Sequence, residues 1–293
     1  MALSIKNLAF KGGGVLGIAY AGAIQVLEQN QILQQVERVA GTSAGAITAA
    51  LVSLRYDAAD ILQIVNATDF SSFEDKWDPL RLAGKYGLYE GDAFLNWMQQ
   101  NITKKGLAAT ATFTDFQNAG CRDLHVFATD LNTQGLKHFS AGTTPEVVVA
   151  EAVRSSMSIP LFFKAWTFTD NIPDNHVYVD GGMVYNYPIT IFDSDKDNPN
   201  PETLGLFLMN LDSPLPPSSL GYDHLIEYVR ALADTMLSAQ VINFENDPDE
   251  EDRSIIIDNL GISPTNFKLT DDQKTALYAS GQKYAADFIG KHA

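Results

Sequence analysis

Apolar positions along the chain follow two periods. Short β-branched or aliphatic runs over 3–10 and 36–40 read as strands, and each is followed by a glycine-containing turn and a helical pattern. After the first turn, Leu16, Ala19, Ala23, Val26 and Leu27 share one face of a helix predicted over 15–29. After the second turn a helix is predicted over 44–54. Strand, crossover helix and strand in this order imply a parallel pair with a right-handed connection. Residues 57–117 interrupt the alternation. They carry many aromatics (Phe70, Phe73, Trp77, Tyr86, Tyr89, Phe94, Trp97), no clear strand and one helix predicted from Asp92 to Asn101, and so read as an inserted helical or loop segment.

Strands resume over 124–129 and 135–139. Thr144-Pro145-Glu146 offers an N-cap, a first-turn proline and a first-turn acid for a helix predicted to run to about Ser155. Further strands are predicted over 161–168, 176–179 and 204–209. The tail is mainly helical, with helices over 222–241 and 271–289, the second opened by a Thr270/Gln273 capping box. There is no repeat and no low-complexity linker.

Composition narrows the class. Of 293 residues, 45% are hydrophobic and only 19% charged, enough apolar surface for one sizeable core or two modest domains. The two longest uncharged runs, 12–27 and 39–54, are interrupted by Gly, Ser or Thr and are shorter than the roughly 20 apolar residues that span a bilayer, so no transmembrane helix is expected. The N-terminus lacks the long apolar run and small-residue cleavage site of a signal peptide. With one cysteine, Cys121, no internal disulfide can form, and a reducing compartment is the simpler setting. The net charge of −16 repels phosphate backbones and anionic lipid at long range, which argues against nucleic acid as a partner.

The sharpest chemical signal is Gly41-Thr42-Ser43-Ala44-Gly45, a GxSxG turn between a predicted strand and a predicted helix. Such a bend exposes the serine hydroxyl, and the helix dipole favours negative charge developing there. With 21 glycines, about 0.1 matches to three fixed positions arise by chance in a random chain of this composition, so context strengthens the pentapeptide. A second signal, Gly12-Gly13-Gly14-Val15-Leu16-Gly17, matches GxGxxG literally. A dinucleotide site would want an acid closing the second strand, whereas that strand closes in Gly41-Thr42-Ser43 and Glu37 lies near its beginning. The same loop suits an oxyanion hole, since glycine amides at a helix start approach a substrate carbonyl closely, with Gly13 and Gly14 the preferred donors. A purely structural tight turn is the alternative.

A serine nucleophile needs a base. His125, His138, His176, His224 and His292 sit in strand, hairpin, helix-start or terminal positions that suit packing or surface roles. Asp180, between an apolar strand and Gly181-Gly182, is the better candidate, because partial burial beside the serine would raise its proton affinity. The acidic run over 245–251 lacks the glycine and terminal glutamate spacing of a calcium loop and reads as a solvated loop.

Taken in order, Lys11-Gly12-Gly13-Gly14-Val15-Leu16-Gly17, Gly41-Thr42-Ser43-Ala44-Gly45 and Asp180-Gly181-Gly182 resemble the patatin family of lipid acyl hydrolases. Arg154-Ser155-Ser156-Met157-Ser158-Ile159-Pro160 is similar to a small-residue, proline-ended segment packed near the site in that family. Lys11 stands where plant members tend to carry Asp. The resemblance implies a single α/β domain over 1–293, a three-layer sandwich with a mainly parallel central sheet, a helical insertion and a helical C-terminal tail. Its motif-bearing core covers about 6–195, and 196–293 completes it. It also implies that Ser43 is the nucleophile, Asp180 its dyad partner and the Gly12, Gly13 and Gly14 backbone the oxyanion hole, with neither cofactor nor metal.

The implied function is serine-dependent hydrolysis of phospholipid or other fatty-acyl esters, of phospholipase A or lysophospholipase type. Two alternatives stay open: acyl transfer to an alcohol or lysolipid through the same dyad, and a non-catalytic lipid-binding scaffold. The aromatic segment serves equally as an acyl channel, a lid meeting a lipid surface, or core. Peripheral membrane contact and an activating partner are compatible with the resemblance, as are a cytoplasmic location and export as an effector without a cleavable signal.

Overall fold

A computed structural model describes residues 3–78, 80–195, 198–211, 225–238, 244 and 247–292. Nine strands are described: β1 (Asn7–Phe10), β2 (Arg38–Thr42), β3 (Gly87–Tyr89), β4 (Asp123–Asp130), β5 (Gly135–Phe139), β6 (Leu161–Phe163), β7 (Tyr178–Asp180), β8 (Thr203–Met209) and β9 (Ser254–Asp258). Seven of them form one sheet in the order β5-β4-β2-β1-β8-β9, with β7 also on β4. The β4/β2, β2/β1, β1/β8 and β8/β9 pairs are parallel, while β5 and β7 run antiparallel to β4. The remaining two, β3 and β6, pair in parallel as a separate ribbon.

Ten α-helices are described: α1 (Ile18–Gln29), α2 (Ala44–Ser53), α3 (Ala58–Ala67), α4 (Arg81–Lys85), α5 (Asp92–Lys104), α6 (Phe113–Asn118), α7 (Val149–Ser156), α8 (Leu225–Ser238), α9 (Pro248–Asp252) and α10 (Asp271–His292). The strands bury both faces, as near-continuous apolar runs demand of a parallel sheet. On one face Leu8, Phe10, Val39, Val126, Leu206 and Ile255 join the main core with residues of α1, α2, α7 and α10. On the other face Ala9 and Phe207 meet Tyr187, Ile189 and Phe244, and Ala40 and Phe127 meet Phe192. Helical layers therefore flank a mostly parallel mixed sheet. The tail helix α10 packs closely on α1: a β-carbon on Gly281 would lie 1.8 Å from Ala19 O, and one on Gly22 would lie 2.0 Å from Tyr278 O.

Several boundaries differ from the sequence-based expectation for identifiable reasons. Helix α7 begins at Val149 rather than after Thr144. The intervening backbone is engaged elsewhere: Pro145 O and Val147 O accept from the Thr114 and Phe113 amides, and Val148 bridges Thr112. The run predicted as a strand over 161–168 pairs regularly only over Leu161–Phe163, with Trp166 forming an isolated bridge to Tyr178. Residues 57–117 contain the strand β3 as well as helices. The acidic run read as a loop contains α9, capped by Asp247 and opened by Pro248. Strand β9 lies where the sequence pattern predicts no strand. The helix predicted over 222–241 is observed over Leu225–Ser238, its ends lying outside the described residues. The Thr270/Gln273 capping box is present, with reciprocal bonds of 3.0 and 3.2 Å. Cys121 is half-buried with a free thiol.

Candidate active site

Register along β4 explains how distant residues meet. Strand β5 occupies one edge of β4 from Val126 to Asp130, so β2 and β7 share the other edge. Thr42, at the end of β2, lies opposite Phe127, and Asp180, at the end of β7, lies opposite Ala128. The antiparallel approach of these two strands brings their C-terminal ends head to head. Ser43, one residue beyond β2, therefore faces Asp180, and its Oγ donates to Asp180 Oδ2 at 2.6 Å.

Ser43 adopts φ 54° and ψ −125°, a conformation costly for a residue with a side chain and frequent where a strand turns sharply into a helix. Its neighbours are small for steric reasons. A β-carbon on Gly45 would lie 2.1 Å from Phe10 O, and one on Gly41 would lie 2.1 Å from Gly45 O. The Ser43 amide donates to Ser156 Oγ at 2.9 Å, and Ser156 Oγ donates to Phe127 O at 2.5 Å. Ser158 O accepts from the Asp180 amide at 2.9 Å, and Thr129 Oγ1 donates to Asp180 O at 2.9 Å. The buried Arg154 guanidinium ties this segment down by donating to Ser158 Oγ, Gly91 O and Glu90 O.

Both residues of the pair are buried, Ser43 at 1% and Asp180 at 2% exposure. Burial raises the Asp180 carboxyl from its ordinary 3.8 to about 7, against the opposing pull of hydrogen bonds from Ser43 and the Gly182 amide. The Gly182 amide donates to Oδ1 at 2.7 Å, leaving Oδ2 to the serine hydroxyl.

The glycine loop lies against the same pair. The Gly12 amide donates to Asn186 O at 2.9 Å, the Val15 amide donates to Pro264 O at 3.0 Å, and a 3-10 turn runs over Gly14–Gly17. Gly14 takes φ +54°. A narrow apolar crevice of about 30 Å³ opens beside Ser43, lined by Gly14, Ala44, Ile47, Phe70, Met157 and Phe163 among others.

Of the sequence candidates, Ser43, Asp180 and the Gly12, Gly13 and Gly14 backbone therefore share one neighbourhood. The histidines have other neighbours: His125 and His138 bond each other at 2.9 Å, His176 bonds Asp130 at 2.8 Å, and His292 meets Phe288 O at 2.8 Å. His224 lies outside the described residues. Among the described residues, no group of three or more His, Cys, Asp or Glu side chains could hold a metal ion. Neither Asn186 nor Pro264 was marked by the sequence, because each contributes a backbone carbonyl that residue type does not encode.

A mostly parallel sheet with a strand-serine-helix bend, an aspartate hydrogen-bonded to that serine and a glycine loop alongside places the chain in the α/β class. The family model of patatin-like phospholipase matches residues 8–193, and the chain belongs to that family. The protein YqhO of Bacillus subtilis is 31% identical over 300 aligned positions, covering 96% of each chain. A probable lipid hydrolase, 463L of Invertebrate iridescent virus 6, is 24% identical over 189 positions, covering 64% of this chain and 62% of that one. The crystal structure of VipD from Legionella pneumophila superimposes with a TM-score of 0.70 at 16% identity, covering 99% of this chain and 67% of that one.

Proposed function

We propose that the protein is a serine-dependent lipid acyl hydrolase of phospholipase A or lysophospholipase type, acting through a Ser43-Asp180 dyad. The observation that carries this reading is the 2.6 Å bond from Ser43 Oγ to Asp180 Oδ2 at the edge of an apolar crevice. Asp180 accepts the hydroxyl proton as Ser43 Oγ bonds to the ester carbonyl carbon. The carbonyl oxygen becomes an oxyanion beside the Gly13 and Gly14 amides. Collapse breaks the carbon–oxygen bond to the alcohol, which takes the proton from Asp180 as it leaves. Water then repeats the sequence on the acyl-serine and releases the fatty acid. A carboxylate near 7 suits this exchange better than an ordinary aspartate, because its proton affinity is closer to that required at neutral pH.

Substrate class follows from the crevice lining. Ile47, Phe70, Met157 and Phe163 offer carbon contacts suited to an acyl chain. A space of about 30 Å³ is far below the roughly 300–1,000 Å³ of typical ligand pockets, so chain entry requires side-chain movement around Phe70 and Phe73. The substrate is a phospholipid or other fatty-acyl ester, met at a membrane surface, with an activating partner compatible with that entry step.

Product analysis tests this. Wild type incubated with mixed phospholipid vesicles is expected to release free fatty acid and lysolipid, with Ser43→Ala inactive. Release unchanged in a folded S43A protein would overturn the dyad, and accumulation of transacylated lipid in place of free acid would reassign the reaction to acyl transfer.

A further inference from the structure

We propose that Lys11 is a positioning residue for the oxyanion loop: its buried ammonium grips the Gly12 carbonyl and so aims the Gly13 N–H into the crevice beside Ser43. The inference rests on the acyl-ester reading of that crevice. Lys11 is 3% exposed, and its Nζ donates to Gly12 O at 3.1 Å. Its side chain continues the alternation of β1, in which Phe10 joins the main core and Ala9 the cluster on the opposite face. The ammonium lies 5.1 Å from the Phe207 ring centroid, on that second face.

In a trans peptide the C=O of one residue and the N–H of the next point in opposite directions. With the Gly12 carbonyl held toward Lys11 on the Phe207 side, the Gly13 N–H points to the other side. There the crevice is lined by Gly14, Val15 and Ser43. Gly12 itself abuts the serine, since a β-carbon on it would come within 3.1 Å of Ser43 Cβ. The loop is pinned before this peptide by the Gly12 amide on Asn186 O and after it by the Val15 amide on Pro264 O. Lys11 supplies the grip between these two points.

A cation on the carbonyl also polarises the peptide unit, which makes its N–H a stronger donor to a developing oxyanion. Burial lowers the Lys11 ammonium to about 8. Among the described residues, the ionisable groups near it include Tyr20, whose hydroxyl donates to Lys11 O, and Tyr187, which packs on Phe207. Burial pushes both phenols above their ordinary range, so neither changes charge where Lys11 does.

The test compares wild type, Lys11→Met and Lys11→Arg on p-nitrophenyl butyrate from pH 6 to 10, with melting temperatures. Methionine keeps the length of the side chain and suits a buried site, so K11M is expected to melt at or above the wild-type temperature. Its kcat should fall about ten- to a hundredfold with KM within about twofold, and its profile should lack the alkaline decline expected of wild type above about pH 8. K11R should keep more activity than K11M and hold it to higher pH. A K11M kcat within twofold of wild type, or a lowered kcat that retains the alkaline decline, overturns the assignment.

Should K11M fail to fold, K11R decides: its fluorophosphonate labelling is expected to persist to higher pH than that of wild type, and a folded K11R whose pH profile coincides with that of wild type rejects Lys11. Fully active K11M beside inactive S43A rejects only the Lys11 role, whereas full activity in S43A rejects the acyl-ester reading beneath it.

Discussion

At the scale of single residues, the proposed reaction depends on a carboxylate whose proton affinity is set by its surroundings. Asp180 is raised to about 7 by burial, and only its ionised form can take the Ser43 proton. The acylation rate is therefore expected to rise with pH to a midpoint near 7, and Asp180→Asn should lower it by orders of magnitude, measured as the rate of a pre-steady-state burst. Stability should show the converse. A carboxyl whose folded value lies above its unfolded value stabilises the fold most when protonated, and this contribution is lost as pH rises from about 4 toward 7. Asp180→Asn should accordingly raise the melting temperature relative to wild type at pH 8 and change it little at pH 4, as scanning calorimetry would reveal.

These residues were legible in the sequence because their chemistry is carried by residue type in short spacings. Ser43 sits in a glycine-flanked bend, and Asp180 ends an apolar run before two glycines. The residues that steady them were not legible alone: Ser156 and Ser158 are ordinary small residues until the fold sets Ser156 Oγ on the Ser43 amide and Ser158 O on the Asp180 amide.

At the scale of elements, the site exists because two strands share one edge of β4. Thr42 and Asp180 face consecutive β4 residues, a relation set by long-range pairing that no local pattern records. Local patterns found β1, β2, α1 and α2 because the apolar period changes at each glycine turn. They misplaced the start of α7 because tertiary hydrogen bonds to Pro145 O and Val147 O override a favourable cap. Strand β9 escaped notice because its apolar run, Ile255 to Ile257, is only three residues long and follows an acidic run. Close backbone approach makes the element contacts sensitive to single carbons. Gly45→Ala would drive a β-carbon to 2.1 Å from Phe10 O, and Gly281→Ala would drive one to 1.8 Å from Ala19 O. Each should destabilise the protein by about 1–3 kcal/mol in urea titrations, with Gly45→Ala also lowering activity because α2 carries the serine bend.

At the scale of the whole molecule, charge and fold place different demands on a lipid substrate. Among the described residues no helix is long and apolar enough to cross a membrane. A net charge of −16 opposes approach to anionic vesicles, and salt screens that repulsion within about 10 Å at 0.1 M. Turnover on anionic vesicles should therefore increase between low and moderate ionic strength, while turnover on zwitterionic vesicles should change little; a fall on anionic vesicles would point to a basic docking patch instead. The C-terminal hundred residues carried no motif in the sequence. Their part is to seat α10 on α1 and to present Pro264 O to the glycine loop, functions of shape and backbone.

The central claim is that the Ser43 hydroxyl is the group that becomes acylated. Intact-mass and peptide mass spectrometry after brief exposure to a fluorophosphonate measures this most directly. One adduct is expected, mapped to the peptide containing Ser43, absent from folded Ser43→Ala and slowed in Asp180→Asn. Labelling of folded S43A at the wild-type rate, or a folded wild type that stays unmodified near pH 7.5, would contradict it.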